Sequence, residues 1–145
     1  MSRIARALCL LALLVALPAA ANGQNKLPTE RGLETLVKTS LLTFNDANLT
    51  GNYEVLHARL SGPFRTQFPA ARLKGAFKDF RDKDLDIGVI AALKPNYSPA
   101  PSIDDEGRLL AKGVFPTEPR QVQFDLAFIP SDGEWKLVRL NVKVD

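Results

Sequence analysis

Apolar residues recur at helical spacing in the first half of the chain and at alternate positions in the second. Leu33, Leu36, Val37, Leu41, Phe44 and Ala47 fall on one face of a 3.6-residue repeat, which predicts an amphipathic helix from Leu33 to about Asn48. Thr50-Gly51 marks its end. Asn52 offers a side-chain oxygen to cap a second, shorter helix whose Tyr53, Leu56, His57 and Leu60 share a face, with Gly62-Pro63 as its expected stop. A third helix is predicted from Pro69, where a missing N–H costs nothing in the first turn. It carries Leu73, Ala76, Phe77 and Phe80 inward.

From Asn96 the period changes to two. The segments "NYSPAPSI", "RLLAKGVF", "RQVQFDLAFI" and "EWKLVRLNVKV" are separated by turn clusters at Asp104 to Gly107, Thr117 to Pro119 and Ser131 to Gly133. That pattern predicts a four-strand antiparallel meander. Helices followed by strands indicate an α+β layer fold.

The last two strands raise a register problem. Val122, Phe124, Leu126 and Phe128 are even-numbered, and so are Val138, Leu140, Val142 and Val144 across the turn. Cross-strand partners share a face, so even must meet even. A three-residue Ser131-Asp132-Gly133 loop satisfies this, pairing Phe124 with Leu140, Ile129 with Trp135 and Asp125 with Arg139. The preceding strand, with Leu109, Ala111 and Phe115 inward, then sets Lys112 beside Asp125 and Gly113 opposite Phe124, where the lack of a side chain lets the sheet bend around the ring. Asp125 is thereby expected on the outer face, in a structural ion ladder of Lys112, Asp125 and Arg139 rather than in a catalytic position.

The N-terminal stretch "MSRIARALCLLALLVALPAAANGQ" changes the reading of the charge. Two arginines, an apolar run from Ala7 to Leu17 and Ala19-Ala20-Ala21 make a secretory signal, with cleavage expected after Ala21. The run is too short to span a bilayer as a helix. Arg3 and Arg6 supply two of the three excess positive charges in the formal +3, so nothing remains to suggest a nucleic-acid partner. The only cysteine, Cys9, leaves with the signal, and the remainder must be held by an ordinary core without disulfides. The expected organisation is a signal at 1–21, a flexible segment at 22–32 and a single domain at 33–145. The destination is a bacterial periplasm or the exterior, with no membrane anchor once the signal is removed.

The element order carries a resemblance. Three N-terminal helices, a loop with Lys94-Pro95, and an antiparallel sheet closing on "GEWKLVRLNV", with Gly133-Glu134-Trp135 at its start, resemble the nuclear-transport-factor-2-like (SnoaL-like, cystatin-like cone) superfamily over Leu33 to Asp145. The resemblance implies three helices packed on the concave face of a curved four-strand antiparallel sheet. Its members include isomerases, dehydratases, epoxide hydrolases, polyketide cyclases and non-catalytic binding or assembly domains, so the fold does not choose a function. In its enzymes, the resemblance implies catalytic acids on the concave sheet face. The two best-defined strands here offer no ionisable group on that face.

The remaining candidates for chemistry are few. His57 is the only histidine. It is expected on the apolar face of the second helix, either as a core residue or as a pocket base oriented by Tyr53 or Asp46. Phe44, Tyr53, His57, Phe77, Phe80, Phe115, Phe124 and Phe128 are the expected lining of any apolar cone. Asp82, Asp84 and Asp86 alternate like the start of a calcium loop, but Ile87 stands where the turn glycine belongs and Leu93 where the closing glutamate belongs. No metal or cofactor is expected. The preferred reading is an exported, non-catalytic binding or assembly module for a small apolar ligand or a protein partner. The alternative is a cofactor-free hydrolase, isomerase or cyclase using His57. The outer face, with Gln121, Gln123, Lys112, Arg139, Asn141 and Lys143 plus Ile129, Trp135 and Leu137 near the hairpin, predicts a monomer or a weak homodimer with Trp135 at any contact.

Overall fold

The computed structural model describes residues 26–145; the expected export signal, its cleavage site and Cys9 lie outside the described residues. Helix α1 runs Glu30–Thr50. Thr29 starts it, its hydroxyl accepting from the Gly32 N–H at 3.1 Å, and Glu30 places a negative charge at the positive end of the helix dipole. Gly51 ends it in the left-handed region at φ 72°, its N–H reaching the Ala47 carbonyl at 2.9 Å. The helix begins three residues before Leu33 because Glu30, Arg31 and Gly32 carry no apolar side chain for the periodicity to register.

Among the described residues, the three-helix expectation is corrected to five α-helices. After α1 come α2 (Glu54–Ala58), α3 (Gly62–Gln67), α4 (Ala70–Ala76) and α5 (Lys78–Asp82), followed by a 3-10 turn at Gly88–Ala92. Asn52 does accept from the Glu54 N–H, at 3.0 Å. Gly62-Pro63, however, opens a helix rather than stopping one. Ser61 caps α3 with Pro63 in its first turn, where a proline forfeits no intrahelical bond. The predicted third helix is divided at Phe77, which leaves helical geometry at φ −106°, ψ 21°.

The strands are β1 (Asn96–Tyr97), β2 (Ser102–Ile103), β3 (Leu109–Phe115), β4 (Val122–Ser131) and β5 (Glu134–Val144). All pairings are antiparallel in one open sheet ordered β1-β3-β4-β5, with β2 also on β3. Among the described residues, five strands replace the expected four because "NYSPAPSI" is two pieces laid along the same edge of β3. Asn96 and Tyr97 pair with Val114 and Gly113, and Ser102 and Ile103 pair with Leu110 and Leu109. Pro99 and Pro101 lie between them and cannot donate to a ladder.

The β3–β4 register is as expected, with Lys112 opposite Asp125 and Gly113 opposite Phe124. The β4–β5 register is not. Ser131 pairs with Glu134, so the loop is the two residues Asp132 and Gly133, both at positive φ (54° and 77°), as a type I′ hairpin turn requires. The even-to-odd mismatch that follows is cured inside the strand. Leu137 faces Phe128 while Arg139 faces Ala127, leaving Val138 as a bulge. Phe124 therefore meets Val142, Asp125 meets Asn141, and Ile129 meets Lys136.

One hydrophobic cluster joins the layers. Val37, Leu41 and Phe44 of α1 and Leu56 of α2 are fully buried together with Leu109, Phe115, Leu126 and Phe128 of the sheet, each worth about 1.5–3 kcal/mol of burial. Among the described residues, no helix is long and apolar enough to cross a membrane.

Candidate functional site

The aromatic residues expected to line a cone fill it. Phe44, Phe115 and Phe128 have no exposure and Phe124 has 3%. Phe44 takes Phe77 and Phe80 edge-on, each at 4.9 Å between ring centres, and Phe115 lies 5.4 Å from Phe124. Side chains interlocked in this way leave a packed interior rather than a lined chamber.

His57 is drawn into no catalytic group. It is half-buried, and its Nε2 lies 3.4 Å from the Arg65 carbonyl oxygen. Tyr53, one turn earlier, is buried and points elsewhere: its hydroxyl donates to Asn48 Oδ1 and accepts from Arg81 Nη1 at 2.7 Å, with the Arg81 guanidinium 5.7 Å over its ring. Asp46 is exposed on α1. Neither the Tyr53 hydroxyl nor the Asp46 carboxylate hydrogen-bonds the His57 ring. The Tyr53–Asn48–Arg81 network had no local signal, because Arg81 arrives from α5, 28 residues away.

The alternating acids also disperse. Asp82 pairs with Lys78. Asp84 takes φ 49°. Asp86 accepts from the Gly88 N–H and from Asn45 Nδ2, each at 2.8 Å. These bonds, the Gly88 backbone bond first, hold the Asp86 carboxyl below its ordinary value. No cluster of three metal-ligating side chains occurs among the described residues.

The outer sheet face is where polar groups converge. Asp125 Oδ1 accepts from Arg139 Nε at 3.1 Å and lies 3.0 Å from Arg139 Nη2. The contact runs diagonally, since Arg139 is opposite Ala127. Lys112 neighbours Asp125 in the register, and no ion pair joins them. Ser98, Lys112, Gln123, Asp125, Asn141 and Lys143 border an open trough of about 310 Å³ floored by the backbone around Gly113. Ser98 and Asn141 were not foreseen as neighbours of Asp125. Asn141 follows once the turn is read as two residues with a compensating bulge.

Trp135 and Leu137 do not belong to this face. With the two-residue turn they fall on the inner side, Leu137 buried and Trp135 half-buried against the core. Only Ile129 stays outside, beside Lys136. The expected outer apolar patch near the hairpin is therefore absent.

Gly113 has a specific steric task. A Cβ there would lie 2.1 Å from the Asn96 carbonyl oxygen and 2.9 Å from Tyr97 Cα, so only glycine lets β1 close onto β3. The Tyr97 ring then meets Phe124 edge-on at 6.1 Å. The Tyr97 hydroxyl is buried without a partner. Desolvation, and secondarily the carboxylates of Glu34 and Glu30, push its ionisation up to about 12. Comparison with protein-family models, curated proteins and solved structures finds nothing that the chain matches.

Proposed function

We propose that the chain is an exported, non-catalytic binding or assembly module of the nuclear-transport-factor-2-like kind, which meets its partner on the outer sheet face. The observation that carries this reading is the filled interior: Phe44, Phe115 and Phe128 have no exposure, leaving little room for a substrate. The His57 ring is hydrogen-bonded by neither Tyr53 nor Asp46, and a base needs an orienting partner and a reachable substrate. The export half rests on the arginine-led apolar start and the Ala19 to Ala21 motif. The helices-then-sheet order supports the superfamily assignment.

The lining of the trough supports a polar, acidic partner. Lys112, which has no ion pair among the described residues, and Lys143, 3.2 Å from exposed Asp145 Oδ1, flank amide and hydroxyl groups from Asn141, Gln123 and Ser98, while the Asp125 charge is already met by Arg139. A protein surface presenting carboxylates and backbone carbonyls complements it.

The test is a photo-crosslinking residue placed at Gln123 in the producing cell. A discrete protein adduct is expected there, and none from the same residue at Lys78 on α5. Loss of the adduct in Lys112→Glu/Lys143→Glu supports the electrostatic reading. Turnover of simple esters or epoxides by the purified protein, abolished by His57→Gln at unchanged thermal midpoint, overturns it in favour of the enzyme.

A further inference from the structure

The sheet has two edges, and they are guarded unequally. On one side β1 and β2 are two residues each, with Pro99 and Pro101 between them, a broken edge that offers little to a pairing strand. On the other side β5 runs eleven residues without a proline. Its first half is covered at Leu137, whose N–H donates to the Arg59 carbonyl at 3.0 Å and whose carbonyl accepts from the Ser61 N–H at 2.8 Å.

Beyond the Val138 bulge the cover stops. The Asp145 N–H donates to the Gln121 carbonyl at 3.1 Å, which sets the phase of the ladder. Arg139, Asn141 and Lys143 turn their backbone groups toward β4, and Leu140, Val142 and Val144 turn theirs away. No hydrogen bond from elsewhere in the described residues reaches those three backbones. Their side chains are half-buried on the inner face.

We propose that this open half of β5 pairs antiparallel with the same segment of a second copy, about a two-fold axis through Val142. Val142 then faces itself and Leu140 faces Val144 of the second copy, each pair exchanging two backbone bonds, about six in all. On the inner side, the half-exposed Leu140, Val142 and Val144 meet their counterparts and extend both cores. On the outer side, Arg139 faces Asp145 of the second copy and Asn141 faces Lys143.

Charge selects this register. Moving the axis one residue, to Asn141, sets Arg139 against Lys143, and like charges directly opposite are destabilising. The covered half limits the overlap in the same sense, since residues 59–61 occupy the edge at Leu137. A seven-residue strip is at the small end of specific interfaces, so the dimer is a weak one. It joins two sheets into one and brings the two outer troughs onto a common face.

Sedimentation velocity over a concentration series tests the pairing. A reversible monomer–dimer equilibrium is expected. Val142→Pro deletes an N–H that points away from β4, so the hairpin is kept while dimerisation weakens by at least about tenfold. Asp145→Lys sets a cation against Arg139 and weakens the dimer, whereas Asp145→Glu preserves it; this pair keeps the test open should the proline variant misfold. Trp135→Ala leaves the equilibrium unchanged. A monomer at every concentration, including one that instead takes a strand of another protein along β5, overturns the proposal. So does a dimer indifferent to both Val142→Pro and Asp145→Lys.

Discussion

Asn45 and Asp86 lock the first helix to the loop that leads into the sheet: Asn45 Nδ2 donates to Asp86 Oδ1 at 2.8 Å while Asn45 Oδ1 accepts from the Ile87 N–H at 3.0 Å. Asn45 is 3% exposed. The same Asp86 oxygen accepts from the Gly88 N–H, so one carboxylate serves both the turn and the helix. Asn45→Ala strands the buried Ile87 N–H and is expected to cost about 2 kcal/mol in urea unfolding.

The pH dependence of that lock has a definite sign. Asp86 ionises below its ordinary 3.8 in the folded chain, so its contribution is complete above that value. It is lost as the pH falls through the lower folded value. Asp86→Asn should flatten the acid limb of a thermal-midpoint profile and leave the neutral region with only the loss of the charged acceptor. An acid limb identical in both proteins contradicts the assignment.

Tyr97 predicts the opposite limb. Its ionisation is raised from 10.0 to about 12, so its stabilising contribution is complete below 10.0 and disappears as pH rises through about 12. Tyr97→Phe removes a buried hydroxyl that has no partner. The variant should be as stable as the parent or about 1 kcal/mol more so at neutral pH. It should also lack the alkaline loss, read from phenolate absorbance and unfolding together.

Gly113→Ala asks β1 to leave β3. The added carbon would stand 2.1 Å from a backbone oxygen, and backbone cannot swing aside as a side-chain tip can. We expect a loss of about 3 kcal/mol, at the upper end for overpacking, with Tyr97 fluorescence changed as its contact with Phe124 opens.

The hairpin turn is testable at two adjacent positions. Gly133 at φ 77° and Asp132 at φ 54° differ in tolerance, because asparagine and aspartate enter the left-handed region more readily than other side chains. Gly133→Ala should cost about 1–2 kcal/mol and Asp132→Asn almost nothing. Gly133 is left-handed in a three-residue loop as well, so the discriminating change is Asp132→Val, costly in the two-residue turn, where residue 132 has φ 54°, and near neutral in a three-residue loop, where that position is right-handed.

The sequence by itself determined what depends on local period and excluded volume. Val37, Leu41 and Phe44 share a face at the α-helical repeat, and Leu109, Ala111, Val122 and Phe124 share one at the strand repeat, so burying them orients α1, β3 and β4 without further information. Lys112 against Asp125 followed from that alternation and from Pro119. Tertiary structure decided the rest. A parity mismatch in the hairpin can be cured in the loop or in the strand, and both cures bury Leu140, Val142 and Val144 against Phe124 and Leu126, differing only near the turn, where the strand cure turns Leu137 and Trp135 inward in place of Val138. Asp132-Gly133 accepts the tight turn, and residues 59–61, arriving from far along the chain to pair with Leu137, accompany the bulge at Val138. The same holds for Gly62-Pro63, which reads equally as a helix stop or a helix start until Ser61 is seen capping. His57 and Tyr53 share a helical face in the sequence, yet Arg81 and Asn48 hold the tyrosine away. Long-range hydrogen bonds of that kind leave no periodic trace in a chain, which is why the elements were legible and the polar networks between them were not.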